Sequence, residues 1–242
     1  MPSMRSMMTA GKAAARDNTC MYNCSYLPVD DPKSFDEAMF ILLCGTGVGF
    51  SVERQFISKL PDVPTLFDSE TTVVIKDSKE GWAKGLRQVL ALLWAGEVPK
   101  WDVSRVRPAG ARLKTFGGRA SGPAPLVDLF MFAVNTFRGA SGRKLSSVEC
   151  HDLMCKIGEV VVVGGVRRSA MISLSNLSDD RMRHAKSGAW WENAPHRALA
   201  NNSVSYSEKP DSIAFMREWT SLMESGSGER GIFNREASIK QA

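Results

Sequence analysis

The sequence predicts an α/β protein with mostly parallel strands. Short β-branched runs alternate along the chain with longer stretches whose apolar residues recur at helical spacing, and glycine- or proline-containing turns separate the two kinds. No internal repeat or low-complexity segment interrupts the alternation. At 242 residues and 43% hydrophobic, the chain can bury a core of one large or two small domains.

The first element, MPSMRSMMTAG, reads as a short helix ended by Gly11. Cys20 and Cys24 follow four residues apart, a spacing that puts two thiols on one face of a helix but not of an extended segment; Pro28 and Pro32 argue for the extended form. Ser34 and Glu37 read as a capping box. Behind it Phe35, Ala38, Met39, Leu42 and Leu43 form the stripe of a helix running to about Cys44. Gly45, Gly47 and Gly49 end that helix and let the backbone approach another molecule closely, while Val48, Phe50 and Val52 alternate as in a strand. A free cysteine is among the most buried residue types, so on the residues alone Cys24 is as readable as packing as it is as a reactive thiol.

Phe56 to Ser69 reads as a loop and Thr71 to Ile75 as a strand. Lys79 to Ala95 is helical, its stripe of Trp82, Leu86, Val89, Leu90, Leu93 and Trp94 closed by Gly96. Trp101 to Val106 reads as a further strand. It leads into RVRPAGARLKTFGGRASGP, where Arg105, Arg107, Arg112, Lys114 and Arg119 among flexible N–H groups make either a phosphate cradle or a solvated basic loop. Leu126 to Phe137 and Ser146 to Val163 are buried helices, the second opened by a capping box at Ser146 and Glu149. On it Cys150 and Cys155 stand about 140° apart and read as packing residues. Gly164 and Gly165 break the helix, Arg167 and Arg168 form a basic tip, and Met171 to Leu174 resumes as a strand. Asp179 to Lys186 is a short charged helix, Trp190 and Trp191 fall in a polar loop, Asn201 to Tyr206 is a strand, and Ser212 to Ser225 is an amphipathic helix before a polar end.

A net charge of +5, spread along the chain, suits phosphorylated small molecules or an ordinary surface better than a nucleic-acid tract, so no direct nucleic-acid binding is expected. The richest apolar run, Val160 to Val163, is far too short for a membrane span, and the basic N-terminus lacks a signal-peptide core; the expected location is cytoplasmic. Five irregularly spaced cysteines and three histidines suggest free thiols and no metal site.

In their order along the chain, MPSMRSMMTAG, DNTCMYNCSYLPVDDP, LLCGTGVGFSVE, VRPAGARLKTFGGRASGP, GGVRRSAMISLSN and ANNSVSY resemble the large catalytic chain of ribonucleotide reductases. The likeness is to the adenosylcobalamin-dependent (class II), monomeric kind that acts on ribonucleoside triphosphates, and it covers nearly the whole sequence. It implies the first half of a ten-stranded α/β barrel, incomplete in this chain. Residues 1–22 would be an N-terminal approach segment and 23–242 the half barrel, with a family insertion at 53–104. By the same likeness Cys24 is the redox thiol on the first barrel strand, which gives one of two electrons to the ribose and becomes half of a disulfide. Asn23, Ser25, Thr46 and Gly47 would lie against the substrate. The first specificity loop would include Gly110, Arg112, Lys114, Gly117 and Gly118, and the second Gly164, Gly165, Val166, Arg167, Arg168 and Ser169. Asp31 matches a residue that binds the effector sugar in related enzymes.

Implied partners are a ribonucleoside triphosphate, a deoxynucleoside triphosphate effector, a thioredoxin-type dithiol and the C-terminal half of the reductase. The family's Asn-x-Cys-x-Glu motif, which carries the radical cysteine and the general base, does not occur in this sequence. The partner thiol of Cys24 and most of the adenosylcobalamin site are expected beyond residue 242, so the chain alone is expected not to turn over nucleotides. Two other readings remain: a non-catalytic nucleotide-binding or regulatory module, and a redox protein in which Cys20 and Cys24 pair locally.

Overall fold

The computed structural model describes residues 4–112, 119–163 and 170–241. The approach segment folds as α1 (Met4–Thr9), α2 (Lys12–Arg16) and a 3-10 turn at Asn18–Met21. Then follow β1 (Cys24–Pro28), α3 (Lys33–Leu43), β2 (Gly47–Ser51) and the single turn α4 (Arg54–Ile57). The next unit contains β3 (Phe67–Val74), α5 (Lys79–Trp94), β4 (Glu97–Asp102) and α6 (Ala124–Gly139). It is followed by α7 (Ser147–Val163), β5 (Met171–Ser175), α8 (Asp180–Arg183) and α9 (Trp190–Asn193). The chain continues through a 3-10 turn at Pro195–Leu199 to β6 (Ala200–Tyr206), α10 (Ser212–Glu224), β7 (Gly231–Asn234) and α11 (Arg235–Gln241).

Five strands form one parallel sheet in the order β1-β2-β5-β6-β7, and β3 pairs with β4, also parallel, as a separate ribbon. Parallel neighbours need a crossover, and helices supply it here: α3 joins β1 to β2, and α7 closes the longer excursion from β2 to β5. The sheet is curved. Glu53, just past β2, holds the guanidinium of Arg235, just past β7, with Nη1 3.0 Å from Oε1 although β5 and β6 lie between them. Three flat strand spacings amount to about 14 Å, so the pair marks an arc of a barrel wall.

Side chains on one face of the sheet, Leu27, Val48, Phe50, Met171, Ala200 and Val204, are buried. All of them but Val204 belong to one core with Phe35, Met39 and Leu42 of α3, Leu86, Val89 and Leu90 of α5, Phe130 and Phe137 of α6, and Leu153 and Ile157 of α7. Each of the larger apolar side chains stabilises the fold by about 1.5–3 kcal/mol relative to exposure. Trp94 closes onto Phe137 edge to face at 4.7 Å.

Some expectations need correction. Ser34 does not cap α3: its hydroxyl donates to the Pro28 carbonyl at 3.0 Å, and Asp31 Oδ1 instead accepts from the Lys33 N–H at 2.8 Å. The helix starts earlier because Pro32, with φ −49° and ψ −30°, is already in helical geometry. The strand expected over Trp101–Val106 lies at Glu97–Asp102 and includes Pro99, tolerated because β4 pairs on one side only. Trp190 and Trp191 sit in the turn of α9 rather than a loop, and the loop expected over Phe56–Ser69 takes in the end of α4 and the start of β3. The polar end is ordered as β7 and α11 because Arg230, 2% exposed, reaches Glu218 of α10 and the Asn176 and Leu177 carbonyls after β5.

Candidate functional site

The second face of the sheet is open where the strands begin. In-register partners in a parallel sheet present side chains to the same face, which gives one row of Cys24 and Gly47 and a next row of Tyr26, Gly49, Ile172 and Asn201. Cys24 and Asn201 are exposed, and Tyr26 keeps 54% of its surface accessible. At the other ends of the strands the same face is closed. There Ser51 and Glu53 are buried, with the Ser51 hydroxyl donating to Glu53 Oε2 at 2.6 Å beside Arg235.

The start of β2 is bare and closely hemmed. The Gly47 N–H donates to the Asn23 carbonyl and the Val48 N–H to the Ala170 carbonyl, both at 2.9 Å. A Cβ on Gly47 would stand 3.2 Å from the Ala170 oxygen and 3.4 Å from the Asn23 oxygen. The Ser25 hydroxyl donates to the Gly47 carbonyl at 3.0 Å. Thr46 is buried, and its hydroxyl lies 3.1 Å from the Thr19 carbonyl and 2.9 Å from that of Tyr22. It therefore fastens the approach segment to the glycine loop rather than facing outward.

Behind that loop lies a cluster the sequence did not single out. Lys79 Nζ, at the start of α5, is 3.2 Å from Cys44 Sγ and forms an ion pair with Asp17. Burial pushes the Cys44 thiol up against the opposing influence of Lys79, while the hydrogen bond from Lys79 holds the Asp17 carboxyl down to about 2. Cys44 is thus an inert tie between α3 and α5. Cys150 and Cys155 are fully buried on α7, as their spacing suggests, and all five cysteines are free. Cys20 donates to the Asp17 carbonyl at 3.1 Å, so its thiol is engaged locally.

The structure brings Asn23, Cys24, Ser25, Thr46 and Gly47 together around the starts of β1 and β2. Asp31 is elsewhere, beyond the far end of β1, where it caps α3. Gly110 and Arg112 belong to a narrow hairpin in which Gly110 (φ 85°) pairs with Ala120, and Arg112 opposes Arg119. Of the basic residues proposed as a cradle, Arg107 is paired with Asp77 at 2.7 Å and Arg119 donates to the Gly110 carbonyl at 3.0 Å. Asp77 lies two residues ahead of Lys79, so the base of this hairpin stands at the end of the molecule where Cys44 meets α5. Lys114, Gly117, Gly118 and Gly164, Gly165, Val166, Arg167, Arg168 and Ser169 lie outside the described residues. Among the described residues no group of three or more His, Cys, Asp or Glu could hold a metal ion, and no helix is long and apolar enough to cross a membrane.

The curved, all-parallel sheet with helices packed on one face makes this an open α/β half barrel, with the accessible Cys24 thiol on its other face. The fold matches the crystal structure of a B12-dependent (class II) ribonucleotide reductase with a TM-score of 0.81 at 24% identity, over 96% of this chain and 39% of that one. Residues 62–137 match the family described as "B12-dependent ribonucleotide reductase, insertion domain". Curated relatives are adenosylcobalamin-dependent ribonucleoside-triphosphate reductases. That of Lacticaseibacillus paracasei is 32% identical over 90% of this chain and 33% of its own length. Those of Euglena gracilis (32%; 80% and 27%) and Lactobacillus leichmannii (30%; 84% and 31%) are similar. The chain belongs with the adenosylcobalamin-dependent ribonucleotide reductases, as the counterpart of the N-terminal part of their catalytic chain. It spans about a third of the length of the curated relatives it matches.

Proposed function

We propose that this chain is the thiol-donating part of a ribonucleotide reductase that converts ribonucleoside triphosphates to 2′-deoxyribonucleoside triphosphates. The observation that carries this reading is the exposed Cys24 on the open face, beside the bare Gly47 backbone where β5 also begins. Replacing the 2′ hydroxyl by hydrogen consumes two electrons and two protons. Two thiols supply both, become a disulfide, and the hydroxyl leaves as water. Cys24 is one of these thiols, and its exposure lets a thioredoxin-type dithiol reset it by exchange. The second thiol, the thiyl radical that opens the reaction and the general base are assigned to a complementary segment carrying the Asn-x-Cys-x-Glu motif.

Adenosylcobalamin is the proposed cofactor of the complete enzyme. Most of its site is assigned to the complementary segment. The specificity loops are proposed around Gly110–Gly118 and Gly164–Ser169, with a deoxynucleoside triphosphate as effector. The insertion, expected over 53–104, is proposed to be the unit of β3, α5, β4 and α6, a reading supported by the family match over 62–137.

The test is Cys24→Ser in the chain combined with its complementary segment. Deoxynucleotide formation should disappear while ribonucleotide binding, measured by equilibrium dialysis, stays within about twofold. Retained turnover would remove Cys24 from the chemistry.

A further inference from the structure

Tyr26 stands two residues after Cys24 on the same face, about 6.7 Å further along β1, and the residue is 54% exposed. The neighbouring strand offers no side chain to this face at either row, since its residues there are Gly47 and Gly49. At the second row the gap is filled from both sides. The position a Cβ on Gly49 would take lies 3.6 Å from Tyr26 Cδ2 and 3.3 Å from Ile172 Cγ2, so the Tyr26 ring and the Ile172 side chain lean together over the glycine. At the first row, over Gly47 and beside Cys24, the nearest atoms to the corresponding position among the described residues are the Ala170 and Asn23 main-chain oxygens and the Ala170 methyl. The result is a recess with a bare backbone floor, the Cys24 thiol at one side and an apolar back wall made by Tyr26 and Ile172.

We infer that Tyr26 is a positioning residue for the sugar of the substrate, an inference that rests on the functional reading above. An aromatic face packs well against the C–H face of a furanose and offers no group to compete with the thiol. A floor without side chains lets the ring come down to the level of Cys24, and the back wall then stops it from sliding toward the closed end of the sheet. Neither role needs the tyrosine hydroxyl.

The experiment is steady-state reduction of a ribonucleoside triphosphate by the complete reductase containing this chain, comparing Tyr26→Phe, Tyr26→Ala and Gly49→Ala. Tyr26→Phe should keep KM within about twofold, and Tyr26→Ala should raise it at least about tenfold, the signature of lost substrate binding. A Tyr26→Ala enzyme with unchanged KM, whatever its kcat, overturns the inference, because the ring then faces protein rather than substrate. Should Tyr26→Ala not fold, as judged by circular dichroism, Gly49→Ala decides by the same criterion, since its added methyl pushes the ring and Ile172 into the recess. No reduction by the unsubstituted enzyme would sink the functional reading, and this inference with it.

Discussion

Thr46 and Cys24 are close in space and opposite in character. Both were expected at the substrate, yet the Thr46 hydroxyl is buried on the Thr19 and Tyr22 carbonyls, while Cys24 is open. Thr46→Val keeps the shape but removes the one O–H that the Thr19 and Tyr22 carbonyls share. It should lower stability by about 1–3 kcal/mol, read as a drop in the urea midpoint of dilute protein. An unchanged midpoint would mean that the approach segment is not held through this side chain. Cys44 gives the converse lesson. Its place in LLCGTG is conspicuous in the sequence, but beside Lys79 and Asp17 it is a buried tie, and no spacing rule in the sequence links positions 17, 44 and 79.

At the scale of elements, the two capping boxes separate what local sequence can decide from what it cannot. At α7 the box forms as read: the Ser146 N–H donates to Glu149 Oε2 at 2.8 Å, and Arg143 grips the same carboxylate at 2.7 Å. At α3 the same pattern is overruled by Pro32 and by the pull of Ser34 toward β1. Burial alone would raise the Glu149 carboxyl, but Arg143 and Ser146 hold it down to about 2 from an ordinary 4.5. Because the folded value is the lower one, this stabilisation is present above the unfolded value and lost as pH falls from about 4.5 through about 2. Glu149→Gln should therefore lower the urea midpoint at neutral pH and flatten its fall over that acid range. A variant whose acid dependence matches that of the unsubstituted protein would show that the carboxylate is not linked to folding. The helices were the most legible elements, since α5, α6 and α7 bury stripes that their apolar spacing announces. The last strand was the least legible, because β7 is four residues long and is placed by Arg230 and Glu218, whose pairing spans two elements.

For the whole molecule, the order β1-β2-β5-β6-β7 leaves β1 and β7 each with one unpaired edge among the described residues. Tyr26 on β1, Ile172 on β5 and Ile232 on β7 are exposed, largely apolar side chains, and Ile213, Met216, Trp219 and Met223 add an exposed stripe on α10. Open edges and apolar patches of this kind favour association. The chain by itself should self-associate with increasing concentration in analytical ultracentrifugation, and a complementary segment should suppress this. A monodisperse monomer at all concentrations would contradict the expectation.

The sequence by itself determined the α/β class, most helices, the buried character of Cys150 and Cys155, and the family, because periodicity and short motifs are local properties that survive without knowledge of the neighbours. Tertiary structure alone decided which side chains share a face. Sheet register sets Cys24, Gly47, Tyr26, Gly49 and Ile172 around one recess from residues up to about 150 positions apart. Register and curvature are fixed by the packing of α3 and α7 beneath the sheet and by the Glu53–Arg235 pair across it, contacts between distant residues that no stretch of sequence contains.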